Sequence, residues 1–398
     1  MKKSIFWIIS MALLFAATLP LMAQQPDGSK IFAYPPIRIA EPRSDASSPT
    51  GLFPAQIKAA YGFNKVPNQG AGQIIGIVDA FDNPNAEADL QVYDTYFHLP
   101  TCTTQNGCFT KIKVGNPGGD TGWGLEIALD IQQAHSLAPA AKVILVEANS
   151  NSFDDLLAAV DTAVAHGATQ ISMSWSGGDF NGEQAYDFHF QVPGVTFMSS
   201  TGDSGHGVGY PAASPYVVAV GGTTLVLSTA LPLPNPLASN YGTETGWSGS
   251  GGGISAYEPG QSYQNGVFAG CGSTGHRCVP DICSDANPST GVPVYDTYGG
   301  YNWVKVGGTS VSSPDWSAVF AVVNSSRVSA GKGTLENAIP DLYAFYNGTG
   351  YADFHDITSG TNGNCGAQCT AVAGYDLVTG IGSPKVNQLV PAFIAIEP

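Results

Sequence analysis

The stretch "GWGLEIALDIQQAH", residues 122–135, sets Glu126 and Asp130 four positions apart with no Lys or Arg inside it. On a helix such residues lie about 40° apart around the axis, and two ionised carboxylates there repel by roughly 0.2–0.5 kcal/mol. A shared proton lifts the repulsion and turns the pair into a carboxyl base that titrates as a unit. A candidate nucleophile stands in "VGGTSVSSPDWSAVFAVVN", residues 306–324, where Ser310 follows two glycines just ahead of an apolar helical run. Pro314 suits the first turn of that helix and Ser313 its cap, so these residues also read as ordinary capping. A serine nucleophile usually takes histidine as its base. His206, in "STGDSGHGVGYP", sits between a strand and a Gly- and Pro-rich loop, and His135 lies about 140° around the helix from Asp130. Both histidines read as structural or exposed.

The elements that must position these residues follow from periodicity. "QIIGIVDAF", "KVILVEA", "TQISMSW" and "GVTFMSS" read as strands; "NAEADLQVYDTYF", the Glu126 stretch and "FDDLLAAVDTAVAHG" read as helices. Strands alternating with helices imply an α/β fold, a parallel sheet with helices on both faces. The Gly- and Ser-rich region 226–262, with "GWSGSGGGIS", reads as long surface loops around a cleft.

The opening "MKKSIFWIISMALLFAATLPLMAQQ" has Lys2 and Lys3, an apolar run and a small residue at Ala23, the pattern of a secretory signal peptide over residues 1–23. Residues 24–50, rich in Pro and Ser, read as a linker or short leader, and the folded domain as 51–398. Charged residues are only 12% of the chain and the formal charge is −16, more negative by two once Lys2 and Lys3 leave. Such a surface repels nucleic acid at neutral pH, and its scarcity of cations limits self-repulsion in acid. No later segment reads as transmembrane, so no stable membrane association is expected after signal removal. Seven cysteines in an exported chain suggest disulfides, with Cys102–Cys108 and Cys365–Cys369 as local pairs. Cys271, Cys278 and Cys283 leave one thiol over, and with His276 they form an unusually spaced zinc alternative.

The strand-end acid in "IVDAF", then "WGLEIALD", "SMSWSGG", "STGDSG", "RCVPDIC", "GGTSVSSP" and "GYDLVTGIGSP" occur in an order that resembles the sedolisin family, the serine-carboxyl peptidases of subtilisin-like fold. The likeness covers about 51–398 as a single catalytic domain. It implies Ser310 as nucleophile, Glu126 as general base, Asp130 as the carboxylate orienting Glu126, and Asp203 as the oxyanion partner. Asp79 would support the pair from behind, Trp175 would back it, and backbone near Gly177 would bind extended substrate. A carboxyl base works in acid, where histidine is already protonated, and Asp203 donates to an oxyanion only when protonated. The likeness also implies one structural Ca2+, held by the carboxylates of Asp356 and Asp376 and the carbonyls of Ile357, Val372 and Gly374, with water completing six oxygens. Val372 stands where glycine is usual, which matters only if that position needs positive φ. Family members usually carry a long propeptide, whereas residues 24–50 are short for one. The expected activity is a secreted, monomeric, acid-active endopeptidase cutting polypeptides through a Ser310 acyl-enzyme. The alternative is a non-catalytic binding protein on a peptidase scaffold, disfavoured because all four catalytic positions are filled. Glycoside hydrolysis by Glu126 and Asp130 is disfavoured because neighbours on one helix face flank a sugar poorly.

Overall fold

Strand β1 (Arg38–Ile39) precedes the first helix, and β2 (Ile74–Ala80), β3 (Phe109–Lys113), β4 (Lys142–Ala148), β5 (Gln170–Met173), β6 (Thr196–Ser200) and β7 (Val217–Leu227) follow in the computed structural model. The structure describes residues 30–40, 47–228 and 240–396, so the signal-peptide reading lies outside the described residues. Downstream come β8 (Tyr241–Gly246), β9 (Gly253–Pro259), β10 (His276–Val279), β11 (Ile282–Asp285), β12 (Val292–Asp296) and β13 (Asn302–Gly307). The helices are α1 (Pro54–Tyr61), α2 (Ala86–Phe97), α3 (Thr121–Leu137), α4 (Phe153–Ala165), α5 (Thr309–Ser329), α6 (Ala338–Thr349) and α7 (Val386–Ala395).

Eight strands form one sheet in the order β11-β7-β6-β5-β2-β4-β3, with β8 joining β7 antiparallel. Every pair along that path is parallel, as the alternating strands and helices imply. The β-branched run of β2 is buried on both faces, with α3 and α5 in the core on one side and α4 in the core on the other. Chain order reverses about β2, and in such sheets the crevice beyond the strands' carboxyl ends is the natural ligand site.

Two helices need explaining because they carry the candidate chemistry. Asp120 caps α3, its Oδ1 accepting from the N–H groups of Gly122 and Trp123 at 2.9 Å each, a cap worth about 1 kcal/mol. Beyond that first turn α3 is buried on every side, from Trp123 to Leu137, so its acids have no solvent to face. Helix α5 starts one turn earlier than its sequence suggests. Gly308, at φ +117°, is the cap, Ser310 is already helical, and Pro314 lies inside. The Ser313 hydroxyl bonds Ser172 Oγ at 2.8 Å instead of capping, because the N-terminus is dictated by the glycine turn.

The region 226–262 departs from its loop reading: β8 and β9 lie within it, and Ser250 is fully buried. Glycine-rich strands lack the side-chain alternation by which strands are recognised. Cys102–Cys108 and Cys365–Cys369 pair as expected, and the third disulfide is Cys271–Cys278, with Cys283 a buried free thiol. The disulfide consumes two of the thiols that the zinc alternative needs, which overturns it.

The "RCVPDIC" motif explains how α5 is held. Arg277 and Asp281, both fully buried, form a two-pronged pair at 2.8 and 2.5 Å. Asp281 also accepts from the Ala219 N–H of β7 and the Tyr343 hydroxyl of α6, each at 2.8 Å. This fixes β11, whose Cys283 carbonyl accepts from Trp316 Nε1 of α5 at 2.9 Å. Asp281→Asn leaves a buried guanidinium without its counter-charge and should destabilise the fold by about 3–5 kcal/mol. Denaturant unfolding measures it, and a loss under about 1 kcal/mol would contradict the assigned role.

Candidate active site

Glu126 and Asp130 project from α3, Asp79 from the carboxyl end of β2, and Ser310 from the first turn of α5; all four are fully buried. Asp203, 8% exposed, follows β6. The fold sets Asp79, Asp130, Asp203 and Ser310 close enough to act on Glu126.

Burial is the main force on these carboxyls. It pushes Glu126 well above the usual range; Asp79 and Asp203 add to the rise, while the Ser310 hydroxyl and Asp130 oppose it. Asp130 is raised by burial, then by Asp79 and Glu126, and Asp79 by burial and then by Glu147. No carboxyl oxygen of Glu126, Asp130 or Asp79, nor Ser310 Oγ, closes a protein hydrogen bond of normal geometry. Ser310 and Asp130 stand near enough to act on Glu126, so the cluster is poised to pass protons.

Asp203 is built differently. Its Oδ1 accepts from Thr309 N–H at 2.8 Å and Thr309 Oγ1 at 3.1 Å, fixing the carboxyl beside the start of α5. Burial raises its pKa to about 7, against those bonds and the charge of Arg38, which pull it down. Oδ2 has no hydrogen-bond donor. Protonated there, Asp203 is a donor aimed next to Ser310.

Trp175 is fully buried, and its Nε1–H donates to the Val78 carbonyl at 2.8 Å, bracing the strand that carries Asp79. At Gly177 the N–H is taken by the Tyr210 carbonyl at 2.9 Å, and the Ser176 N–H and carbonyl pair with Tyr34 at 3.1 and 3.0 Å. His135 bonds the Pro100 carbonyl at 2.8 Å, a structural role, while His206 lines the cleft beside Asp203.

Sequence reasoning missed Glu147, Lys111, Thr309 and Arg38. Glu147, fully buried, pairs in register with Asp79 across β4 and β2, and Lys111 Nζ meets its Oε1 at 2.9 Å. An acid inside the apolar "KVILVEA" was the available signal.

In the C-terminal loop the Asp376 carboxylate accepts from the N–H groups of Val372, Val378 and Thr379 at 2.8–3.0 Å. Asp356 receives long contacts of 3.4 Å from Gly374 N–H, weak enough to leave its lone pairs available. Gly374 has φ +96°, whereas Val372 is not among the residues of positive φ, so valine is tolerated there. Asp356 thus offers the hard, free oxygen donors that suit a calcium ion, whereas the Asp376 oxygens are also engaged by the backbone and by Thr379 Oγ1.

The subtilase family profile matches residues 117–342. Kumamolisin of Bacillus sp. (strain MN-32) is 31% identical over 382 residues, covering 89% of this chain and 66% of its own length. Sedolisin of Pseudomonas sp. (strain 101) is 28% identical over 395 residues, covering 90% of this chain and 64% of its own length. The chain therefore spans just under two thirds of the length of these curated relatives. Among solved structures, Pseudomonas sedolisin, described as a serine-carboxyl proteinase complexed with two molecules of pseudo-iodotyrostatin, superposes with TM-score 0.72 at 26% identity, covering 87% of this chain and 98% of that one. By the profile match and these relatives, the chain belongs to the subtilase family and, within it, to the sedolisins.

Proposed function

We propose that this chain is a secreted, acid-active serine-carboxyl endopeptidase that hydrolyses polypeptides through an acyl-enzyme on Ser310. The observation that carries this is the convergence of Ser310, Glu126, Asp130 and Asp203 on one point of the crevice, with a carboxyl as the base beside the serine. Three disulfides support an exported protein, and among the described residues no helix is long and apolar enough to cross a membrane.

Each step assigns a group. Ser310 Oγ attacks the peptide carbonyl carbon as its proton passes to Glu126, which takes it as the ionised member of the pair, the proton they share then lying on Asp130, which also keeps Glu126 oriented. The carbonyl oxygen becomes an oxyanion and takes a hydrogen bond from protonated Asp203. As the C–N bond breaks, Glu126 returns the proton to the departing amine. Water then attacks the acyl-enzyme with Glu126 again as base, restoring Ser310. Asp79 and Trp175 hold the pair from behind. In the C-terminal loop Asp356, Asp376 and the carbonyls of Ile357, Val372 and Gly374 would hold calcium, a cross-link between loop segments.

Ser310→Ala should lower kcat/KM on a denatured-protein or peptide substrate by roughly 10⁴–10⁶-fold with the fold intact by circular dichroism. Glu126→Gln should cost a comparable factor and Asp203→Ala about 10²–10³-fold. Activity should fall as pH rises through about 7, where Asp203 loses its proton. A profile peaking near neutrality or above would sink the reading.

Stability should follow the same protons. The folded-state pKa values of Glu126, Asp130 and Asp79 are raised, so above the ordinary carboxylate range the folded chain binds more protons than the unfolded chain. Their contribution is therefore fully present below about pH 4 and lost as pH rises through the folded values. Tm should decline from pH 4 towards 7, and Asp79→Asn should flatten that slope. Chelation should lower Tm, and Asp376→Asn should abolish the difference between calcium-loaded and chelated protein, by about 2.7 kcal/mol at calcium a hundredfold above Kd.

A further inference from the structure

Behind one wall of the pocket beside Asp203 lie four carboxyls that the reaction does not use. The wall is two backbone stretches, residues 176–178 and 208–209, which line the pocket together with Asp203. Gly177 N–H donates to the Tyr210 carbonyl at 2.9 Å and Asp179 N–H to the Val208 carbonyl at 3.3 Å, so each stretch holds the other. Beyond them stand Asp179, Glu183 and Asp187 on a turn of 3₁₀ helix (Glu183–Phe190), and Glu258 on β9. Glu183 and Glu258 are fully buried, and Asp187 is buried.

These acids tie both stretches to their surroundings. Asp179 Oδ1 accepts from Ser255 Oγ at 3.0 Å and its Oδ2 from Ala256 N–H at 2.7 Å, which joins the first stretch to β9. Asp187 Oδ1 accepts from the hydroxyls of Tyr210 at 3.1 Å and Ser214 at 2.6 Å, which joins the second stretch to the 3₁₀ turn. Glu183 Oε2 accepts from Phe180 N–H at 2.8 Å, and the carboxyl stands near enough to Asp179 to act on it. Both Asp179 oxygens already accept, so a bond between the two carboxyls needs its proton on Glu183. No protein donor closes a hydrogen bond of normal geometry to Glu183 Oε1 or to either oxygen of Glu258. Glu258 feels Asp187 and Asp179, and against them Arg277 of β10, whose two prongs are already taken by Asp281. The Tyr210 hydroxyl lies within the field of Asp187, Glu258 and Glu183.

Carboxyls this dry and this close, with no cation left to share, stay buried together only while most of them hold protons. We propose that Asp179, Glu183, Asp187 and Glu258 form a proton-held brace that keeps the wall of the substrate pocket closed in acid and releases it when the protons leave. They are positioning residues, acting through the backbone of the wall, and calling the pocket a substrate pocket rests on the peptidase reading. Burial raises Asp187 to about 6, against the hydroxyls of Ser214 and Tyr210. Burial, then Asp187 and Asp179, raises Glu258 to about 8, and burial, then the bond to Asp179, raises Glu183 to about 10. All three folded values lie above the unfolded carboxyl range, so their contribution is fully present below about pH 4 and is lost as pH rises through them in that order. Once Glu258 ionises, its charge faces those of Asp179 and Asp187 in a dry space. The wall therefore opens in weak alkali. This is a loss of binding, distinct from the loss of turnover when Asp203 gives up its proton at about 7.

The test is hydrogen exchange of the full chain from pH 5 to pH 9, corrected for the intrinsic rate and read by mass spectrometry. Segments 176–182 and 205–212 report the wall, and 121–137 of α3 is the internal reference. In the unaltered chain the wall should lose about tenfold in protection by pH 8, with α3 holding. Glu258→Gln keeps the shape and has no proton to lose, so it should move the midpoint of that loss up by about one pH unit or more. Glu183→Gln should move it the same way, which keeps the inference testable if one variant folds poorly. For a fluorogenic peptide, KM should rise towards pH 8 in the unaltered chain and less in the variants, while the fall in kcat follows the same curve in all. An unchanged midpoint in both variants, a wall still protected at pH 8, or equal loss in wall and α3 would overturn this inference and leave the peptidase reading standing, since exchange needs no catalysis. The expected exchange with no hydrolysis by any of the proteins at any pH would overturn the peptidase reading and, with it, the brace's service to a substrate pocket.

Discussion

The structure turns on carboxyl groups that can be buried only because they hold protons. An isolated carboxylate in a dry interior is prohibitively costly, so such a group neutralises instead. Glu126, Asp130 and Asp79 are fully buried, and each is pushed up by burial before any neighbour acts. Their protonation is what lets α3 lie in the core on all sides and brings its acids against α5. The cluster becomes a base once one of its carboxyls has given up its proton, since the proton that Glu126 and Asp130 share then leaves Glu126 able to accept one from Ser310.

Cations are kept to the margin of this cluster. Lys111, in the middle of the edge strand β3, binds Glu147 at 2.9 Å and Asp82 at 2.5 Å, with β4 lying between it and the strand that carries Asp79. Its charge therefore reaches Asp79 through Glu147, not directly. Arg38 acts on Asp203 from β1, which belongs to a separate three-stranded sheet with β13 and β12. A permanent cation beside Glu126 would depress its pKa and weaken it as a base.

Much of this was legible in the sequence, for a physical reason. β2 and β4 are near-continuous apolar runs and α3 is a long helix buried on every side, so run length and composition state the element although no single face stands out. Acids that interrupt such runs, Asp79, Glu126 and Asp130, are visible because each defies the pattern. Glu147 defied it equally and was passed over. The pairing of residues 31–40 was illegible because it is carried by backbone, which any sequence supplies: Tyr34 pairs with Ser176, and Arg38 and Ile39 with Gly307 and Val306.

The Gly-rich region was misjudged for a related reason, and correcting it explains how Asp203 is aimed. Composition makes "GSGGG" look like a solvated loop, yet Ser250, Gly251, Gly252 and Gly253 are buried. Gly251 N–H donates to the Gly202 carbonyl at 2.8 Å, Thr201 Oγ1 donates to the Gly251 carbonyl at 3.1 Å, and Gly207 and Gly252 exchange two bonds at 2.8 Å. A Cβ on Gly251 would collide with the Thr201 carbonyl, and one on Gly252 with that of Leu377. These glycines are therefore contact points between backbones, not hinges. From the other side Gly202 N–H donates to Thr309 Oγ1 at 3.1 Å, so the turn carrying Asp203 is gripped between the glycine strand and the start of α5. An oxyanion donor acts at full strength only when it is fixed before charge appears. Here the fixing is done by backbone packed too closely for any side chain but hydrogen.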